Sequence, residues 1–213
     1  MRIPAYHEMY VNKAQEVLAD AFDYAVNTCN IPGEEFIKLF LGSSISQRME
    51  LGDPACIAGR SGIEIAIEIV EETTGKTLEI IPQMHFDRTN EFWIGWATAY
   101  YQWHSDRKFS EIFAAMSFDD LQAMYYTLHE ADLSKFVDVA NRIIREKFPD
   151  TNLKRLRTLC RHTQAELAAR SGVSLRSIQM YEQRNKDINK ASAETVYRLA
   201  KVLGCTIEDL MEK

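Results

Sequence analysis

No apolar run in this chain approaches the roughly 18–20 residues that a membrane-crossing helix needs, so an integral membrane protein is not expected. The start, MRIPAYHEMYVNK, lacks the apolar stretch of a secretory leader, and none is expected there. Cysteine is sparse and scattered. Cys29, Cys56, Cys160 and Cys205 form no C-x-x-C pair, which argues against a disulfide framework and a zinc site and points to a reducing cytoplasm. Histidine is no better clustered. His7, His85, His104 and His129 fit no metal-ligand spacing, and His129-Glu130 lacks the second histidine four residues on that a metalloprotease helix requires. No internal repeat and no low-complexity tract interrupts the 213 residues. With 46% hydrophobic and 26% charged residues, the chain reads as an ordinary globular protein of one large or two small domains.

Charge is present but unevenly spread. The formal net charge of −6 speaks against nucleic acid until it is divided along the chain. Residues 151–213 carry 12 Lys/Arg against 7 Asp/Glu, and residues 1–150 carry 13 against 24. A basic tail on an acidic body suggests a polyanion-binding module. The sign changes at FPDTN (148–152), where Pro149 stops one helix and Asp150–Asn152 can start another. That places a domain boundary between 1–149 and 150–213.

The expected fold class is all-α. NKAQEVLADAFDYAVNTC spaces Val17, Leu18, Ala21, Phe22, Ala25 and Val26 along one helix face. PGEEFIKLFLGS has Pro32 near its first turn and Gly42 near its end. SGIEIAIEIVEETTG opens with the capping-box pair Ser61 and Glu64 and closes at Gly75. Its alternating Ile63, Ile65, Ile67 and Ile69 leave a strand as the alternative, with helix preferred. LEIIP (78–82) is too short to assign and reads as a strand or a loop. Further helices are expected in TNEFWIGWATAYYQWHS, SEIFAAM, DDLQAMYYTLHEAD and LSKFVDVANRIIREKF. The first of these is rich in aromatics; its rings either fill the core or line a ligand pocket or partner-docking face. Asp119 and Asp120 read as helix caps. GRSGIE (59–64) superficially matches a nucleophile elbow, but no core strand precedes it. No catalytic constellation, metal or cofactor is expected.

The stretch TQAELAARSGVSLRSIQMYEQ (163–183) carries the most information. Gly172 would cost about 1 kcal/mol inside one long helix, whereas it suits a sharp turn between two short ones. LKRLRTLCR, QAELAARS, SLRSIQMYEQ, KASAETVYRLAKVLG and IEDLM then read as five helices. Ala168 is small so that the third helix can cross the second. Leu167, Val173 and Ile178 fill the wedge, and Ser174 caps the third helix. This is a two-helix unit of the kind that sets its second helix in a DNA major groove.

Residues 152–212 resemble a phage-repressor (Cro/Xre-type) helix-turn-helix domain, through Leu153, Leu156, Arg157, TQAELA, SGVS, Ile178, Glu182 and LAKVLGCTIEDL. The resemblance implies binding to double-stranded DNA, homodimerisation and transcriptional regulation, as a repressor or autorepressor. It assigns Thr163 and Gln164 to a phosphate-facing helix start. It assigns Ser174, Leu175, Arg176, Ser177, Gln179 and Met180 to the helix facing DNA, with Gln179 nearer the backbone side. Arg176 is the expected base reader, because its fork fits guanine O6 and N7, and Leu175 or Met180 suits a thymine methyl. Arg184, Lys186 and Lys190 are the expected phosphate contacts. Glu182 is expected to pair a first-helix arginine such as Arg157. One departure stands out: the family usually has Asn-Gly or Arg-Gly after this glutamate, and here the chain reads Gln183-Arg184-Asn185-Lys186. DYAVN, GRSGIEIA and EFWIGWATAYYQWHS of the first 150 residues, in combination with TNLKRLR and YEQRNKDINKA, resemble a group of repressor-like proteins of gut Firmicutes, often encoded beside small toxin-like or uncharacterised genes. That implies an antitoxin-like role, with a partner protein bound by the N-terminal domain.

Overall fold

In the computed structural model, residues 4–78 and 88–212 are described; the expectation for LEIIP falls almost wholly outside them, as does His85. The chain divides into two compact units, Met1–Lys147 and Phe148–Lys213. Both are helical, and the described residues contain no strand.

The first unit is organised on α1 (Val11–Asp23). Around it lie α2 (Gly33–Gly42), α3 (Ser44–Glu50), α4 (Pro54–Ile57), α5 (Gly62–Thr74), α6 (Asn90–Ser105), α7 (Phe109–Ala115), α8 (Phe118–Leu128) and α9 (Leu133–Lys147). The apolar positions of α1 recur at helical spacing, so Ala14, Val17, Leu18, Ala21 and Phe22 are all buried. Rather than stopping at Asp23, the helix continues as a π-helical turn over Tyr24–Thr28 and ends where Asn30 takes a left-handed backbone (φ 53°).

Helix α6 packs along α1 at backbone distance. A Cβ on Gly95 would collide with the Leu18 carbonyl and with Ala19 Cα, so only glycine allows this approach. The contact is also polar: buried Gln15 on α1 donates to the Trp96 carbonyl at 3.2 Å. Gly62, the first residue of α5, sits in the same way on the Val17 carbonyl and Asp20. The segment with alternating isoleucines is therefore a helix. Its ends decide the matter: Ser61 and Glu64 form a complete capping box, and Gly75 closes it at φ 68°. Ser61 of the elbow-like GRSGIE is thus a helix cap, preceded by the short helix α4.

The core is largely aromatic. Phe22 meets Phe36 edge-on at 5.0 Å, and Phe40 meets Phe109 at 4.9 Å. On α6, Trp93 and Tyr101 are buried and both pack on Phe136 of α9. Phe92 and Trp96, one turn apart, are only half-buried. The aromatic helix thus gives one face to the core and leaves other rings half-buried. Asp120 completes a capping box with Ser117, which holds its carboxyl below the usual carboxylate range; Asp119 lies in the same first turn without that bond.

The close approach of α1 and α6 gives a direct prediction. Gly95→Ala should destabilise the protein by about 1–3 kcal/mol, the usual cost of overpacking, seen as a lower urea midpoint when unfolding is followed by tryptophan fluorescence.

Candidate nucleic-acid interface

The second unit contains α10 (Asn152–Leu159), α11 (Gln164–Ser171), α12 (Leu175–Glu182), α13 (Ala193–Leu203) and α14 (Ile207–Leu210), with a 3₁₀ turn at Ile188–Lys190. Each of the five helices begins with a hydroxyl cap: Thr151, Thr163, Ser174, Ser192 and Thr206 accept from a backbone N–H two or three residues inside the helix. The first helix ends at Leu159, short of the expected Arg161, because Arg161 takes a left-handed backbone (φ 55°). One core joins these short pieces: Leu153, Leu167, Val173, Ile178, Tyr181, Val196, Leu199, Leu203 and Leu210 are buried together. Leu167, Val173 and Ile178 fill the wedge between α11 and α12, and Ala168 packs against it. Gly172 closes α11 at φ 68° and turns the chain into α12.

A buried ion pair fixes the angle between these helices. Glu182 at the end of α12 receives the Nε and Nη2 of Arg157 at 2.6 and 2.9 Å. Its side chain is 3% exposed and that of Arg157 13%. Arg157 Nη1 also donates to the His162 carbonyl at 2.7 Å, just before α11. This bidentate pairing raises the Arg157 pKa further above its ordinary value. The Gln164 amide donates to the second Glu182 oxygen at 2.8 Å. One carboxylate therefore ties α10, α11 and α12 together, as the Glu182–Arg157 pairing expected from sequence requires.

Around this frame the predicted contact residues take distinct places. Arg176 is exposed on the first turn of α12 and makes no hydrogen bond or ion pair among the described residues. Leu175 beside it is 41% exposed. Gln179 and Met180 are half-buried on the same helix. The hydroxyls of Thr163 and Ser174 are committed to capping: Thr163 to Glu166, whose carboxyl it holds below the ordinary range, and Ser174 to Ser177. Gln164 spends one amide hydrogen on Glu182 and keeps the rest. Arg184 is drawn back on its own unit. Its backbone is left-handed (φ 58°), and its guanidinium reaches the Pro149 carbonyl and Glu212. Lys186 is exposed, with its ammonium 5.2 Å from the Tyr181 ring centroid. Lys190 is exposed and pairs loosely with Asp187 at 3.8 Å.

The structure also adds residues that the sequence reading passed over. A polar cleft of about 300 Å³ lies beside α12, lined by Ser174, Ser177, Lys186, Thr195 and Arg198 among others. Arg198 belongs to α13 and pairs with Glu194 four residues earlier. That i, i+4 spacing was the available signal, but it reads equally as a solvated helix face. No group of three or more His, Cys, Asp or Glu among the described residues could hold a metal ion.

A Helix-turn-helix family model matches residues 153–210, about a quarter of the chain and nearly all of the second unit. No curated protein and no solved structure matches the chain significantly. The second unit is a helix-turn-helix domain, the module with which DNA-binding regulators hold DNA. No helix of the described residues is long and apolar enough to cross a membrane.

Truncating one member of the buried pair strands the other. Arg157→Ala should cost about 3–5 kcal/mol, read in the full chain as loss of amide-exchange protection across α10–α12. Arg155→Ala, on the exposed side of the same helix, should change stability by less than about 0.5 kcal/mol.

Proposed function

We propose that the chain is a sequence-specific transcriptional regulator, a repressor acting on DNA upstream of its own gene, which reads the major groove with the first turns of α12. The observation that carries this reading is the pairing of a rigidly anchored helix end with an unengaged reader. Glu182 fixes one end of α12, and Arg176 projects from the other with no partner among the described residues. Leu175 and Met180 supply apolar contacts for thymine methyls, and Gln179 lies toward the backbone side. Phosphate contacts fall to Gln164 at the start of α11, where the helix dipole favours an anion, and to Ser177, Lys186, Lys190 and Arg198. Thr163 and Ser174 contribute by holding helix starts in place, and Arg184 stabilises the loop. A homodimer suits this reading, since two such helices about 34 Å apart match one DNA turn, and the cytoplasm is the compartment that goes with it.

A second reading gives the first unit a partner. Its net negative charge and the exposed Met9, Leu51 and Tyr126 favour an antitoxin-like protein that covers a basic toxin while the second unit represses the shared operon. A pull-down from the native host that recovers no neighbour-encoded protein counts against this reading alone.

Fluorescence anisotropy across a salt series, with the chain's own upstream DNA and a scrambled duplex, tests the first reading. Tighter binding to the upstream DNA, persisting as salt rises, is the expected result; equal affinity falling steeply with salt means phosphate contacts only and overturns it. Arg176→Ala should reduce the preference for upstream over scrambled DNA about tenfold to a hundredfold. Lys186→Ala should weaken both duplexes alike and lower the salt slope by about one.

A further inference from the structure

The first unit holds a cleft of about 240 Å³ where the start of α6 faces the end of α8 and the start of α9. One wall is the exposed face of α6. Phe92 and Trp96 stack there with centroids 6.0 Å apart and planes 21° from parallel. The other wall is Tyr125 stacked on His129 at 4.5 Å and 23°. Trp93 closes the floor, meeting Tyr125 edge-on at 5.8 Å. The two walls are partly open to solvent: Phe92, Trp96 and Tyr125 are half-buried and His129 is exposed. The rings that serve the core from the same helix, Trp93 and Tyr101, are buried.

A cation sits at the mouth. The Arg88 guanidinium lies 5.2 Å from the Phe92 centroid and 5.5 Å from that of Trp96. Two aromatic faces restrict where it can go, and its N–H groups make no hydrogen bond among the described residues. Among the described residues no carboxylate lies within ion-pair distance of it. The acids of this region are engaged elsewhere. Asp23 receives Asn27 and Thr89, Glu91 receives Asn27, Asp132 caps the start of α9, and Glu130 faces His129.

We propose that this cleft binds a small planar aromatic carboxylic acid, with its ring against the aromatic walls and its carboxylate on Arg88. Each part of the ligand follows from a part of the site. The stacked rings select a flat π-system, and the guanidinium fork selects a carboxylate. The volume, below the roughly 300–1,000 Å³ of drug-sized pockets, selects one or two rings rather than a nucleotide. A cationic ring meets the Arg88 charge, and an aliphatic acid forfeits the stacking. The lining draws on no residue of the second unit, and binding is measured with no DNA present.

The test titrates the full chain with benzoate and indole-3-acetate, and with benzyl alcohol, benzylamine and acetate as controls, by isothermal calorimetry and by the fluorescence of Trp93 and Trp96. Saturable binding of the aromatic acids, at least about tenfold tighter than the alcohol, is the expected result. Arg88→Ala, at an exposed position, should weaken the acids about tenfold or more while leaving the alcohol unchanged, and Arg88→Lys should fall between. The proposal is overturned if benzyl alcohol matches benzoate, if acetate or benzylamine binds as well as the aromatic acids, if Arg88→Ala leaves benzoate unaffected, or if no aromatic acid saturates at millimolar concentration. The comparison of ligands on the unaltered protein decides the matter without any variant.

Discussion

Glu182 is a carboxylate taken almost wholly out of water at the end of a helix of two turns. Left alone there it would be prohibitively costly. Arg157 makes it tolerable, with two N–H groups on the carboxylate and a third on the His162 carbonyl. A hydrophobic pair of the same volume would stabilise the unit as well or better. It would not, however, specify one angle between α10 and α12, because apolar contacts are not directional. The ion pair therefore selects a geometry more than it adds stability. Since Gln164 bonds to the same carboxylate, the start of α11 is set by the same choice. The amide of Gln164 and the angle of α12 are thus both set by one carboxylate.

Short helices explain why so much depends on caps. Helices of eight residues, such as α10, α11 and α12, are too short to persist on propensity alone. Each start is fixed by a serine or threonine hydroxyl, and all four turns between the five helices use a left-handed residue: Arg161, Gly172, Arg184 and Gly204. Two of those are arginine rather than glycine, a local strain that the surroundings must hold. At Arg184 the holding groups are visible, the Pro149 carbonyl and Glu212. This accounts for the departure at Gln183-Arg184-Asn185-Lys186. Where the family usually supplies a glycine for a tight turn, this chain uses an arginine pinned to the ends of its own unit, which leaves Lys186 as the cation of the loop with no ion pair among the described residues.

Much of this was legible in the sequence because it is written in local chemistry. Ser61 with Glu64, Gly75, Gly172 and the wedge of Leu167, Val173 and Ile178 depend on spacings of a few residues, and each took its expected place. Even the Glu182–Arg157 pair, 25 residues apart, could be anticipated, since a glutamate inside an apolar frame needs a cation. What stayed illegible was tertiary. Nothing in SISQRME or PACI, the short helices α3 and α4, separates them from loop, for they are helices chiefly because the core receives Ile45, Met49, Cys56 and Ile57. The π-helical turn at Tyr24–Thr28 has no sequence mark. The commitment of Arg184 to its own unit depends on which partner its side chain finds, the Pro149 carbonyl and Glu212, and spacing does not record that.

The aromatic helix α6 shows the same limit in another form. Core packing and pocket lining were rival readings of one stretch, yet a helix has more than one face. At 93, 97 and 101 the side chains meet α9 and the core; at 92 and 96 they turn out toward Arg88. Gly95 decides which face is which. By letting α6 lie against the α1 backbone it fixes the rotation of the helix about its axis. Once that rotation is set, Phe92 and Trp96 cannot reach the core however apolar they are. Their exposure is then a consequence of that close contact, and Arg88, two residues before the helix, finds two ring faces to rest on.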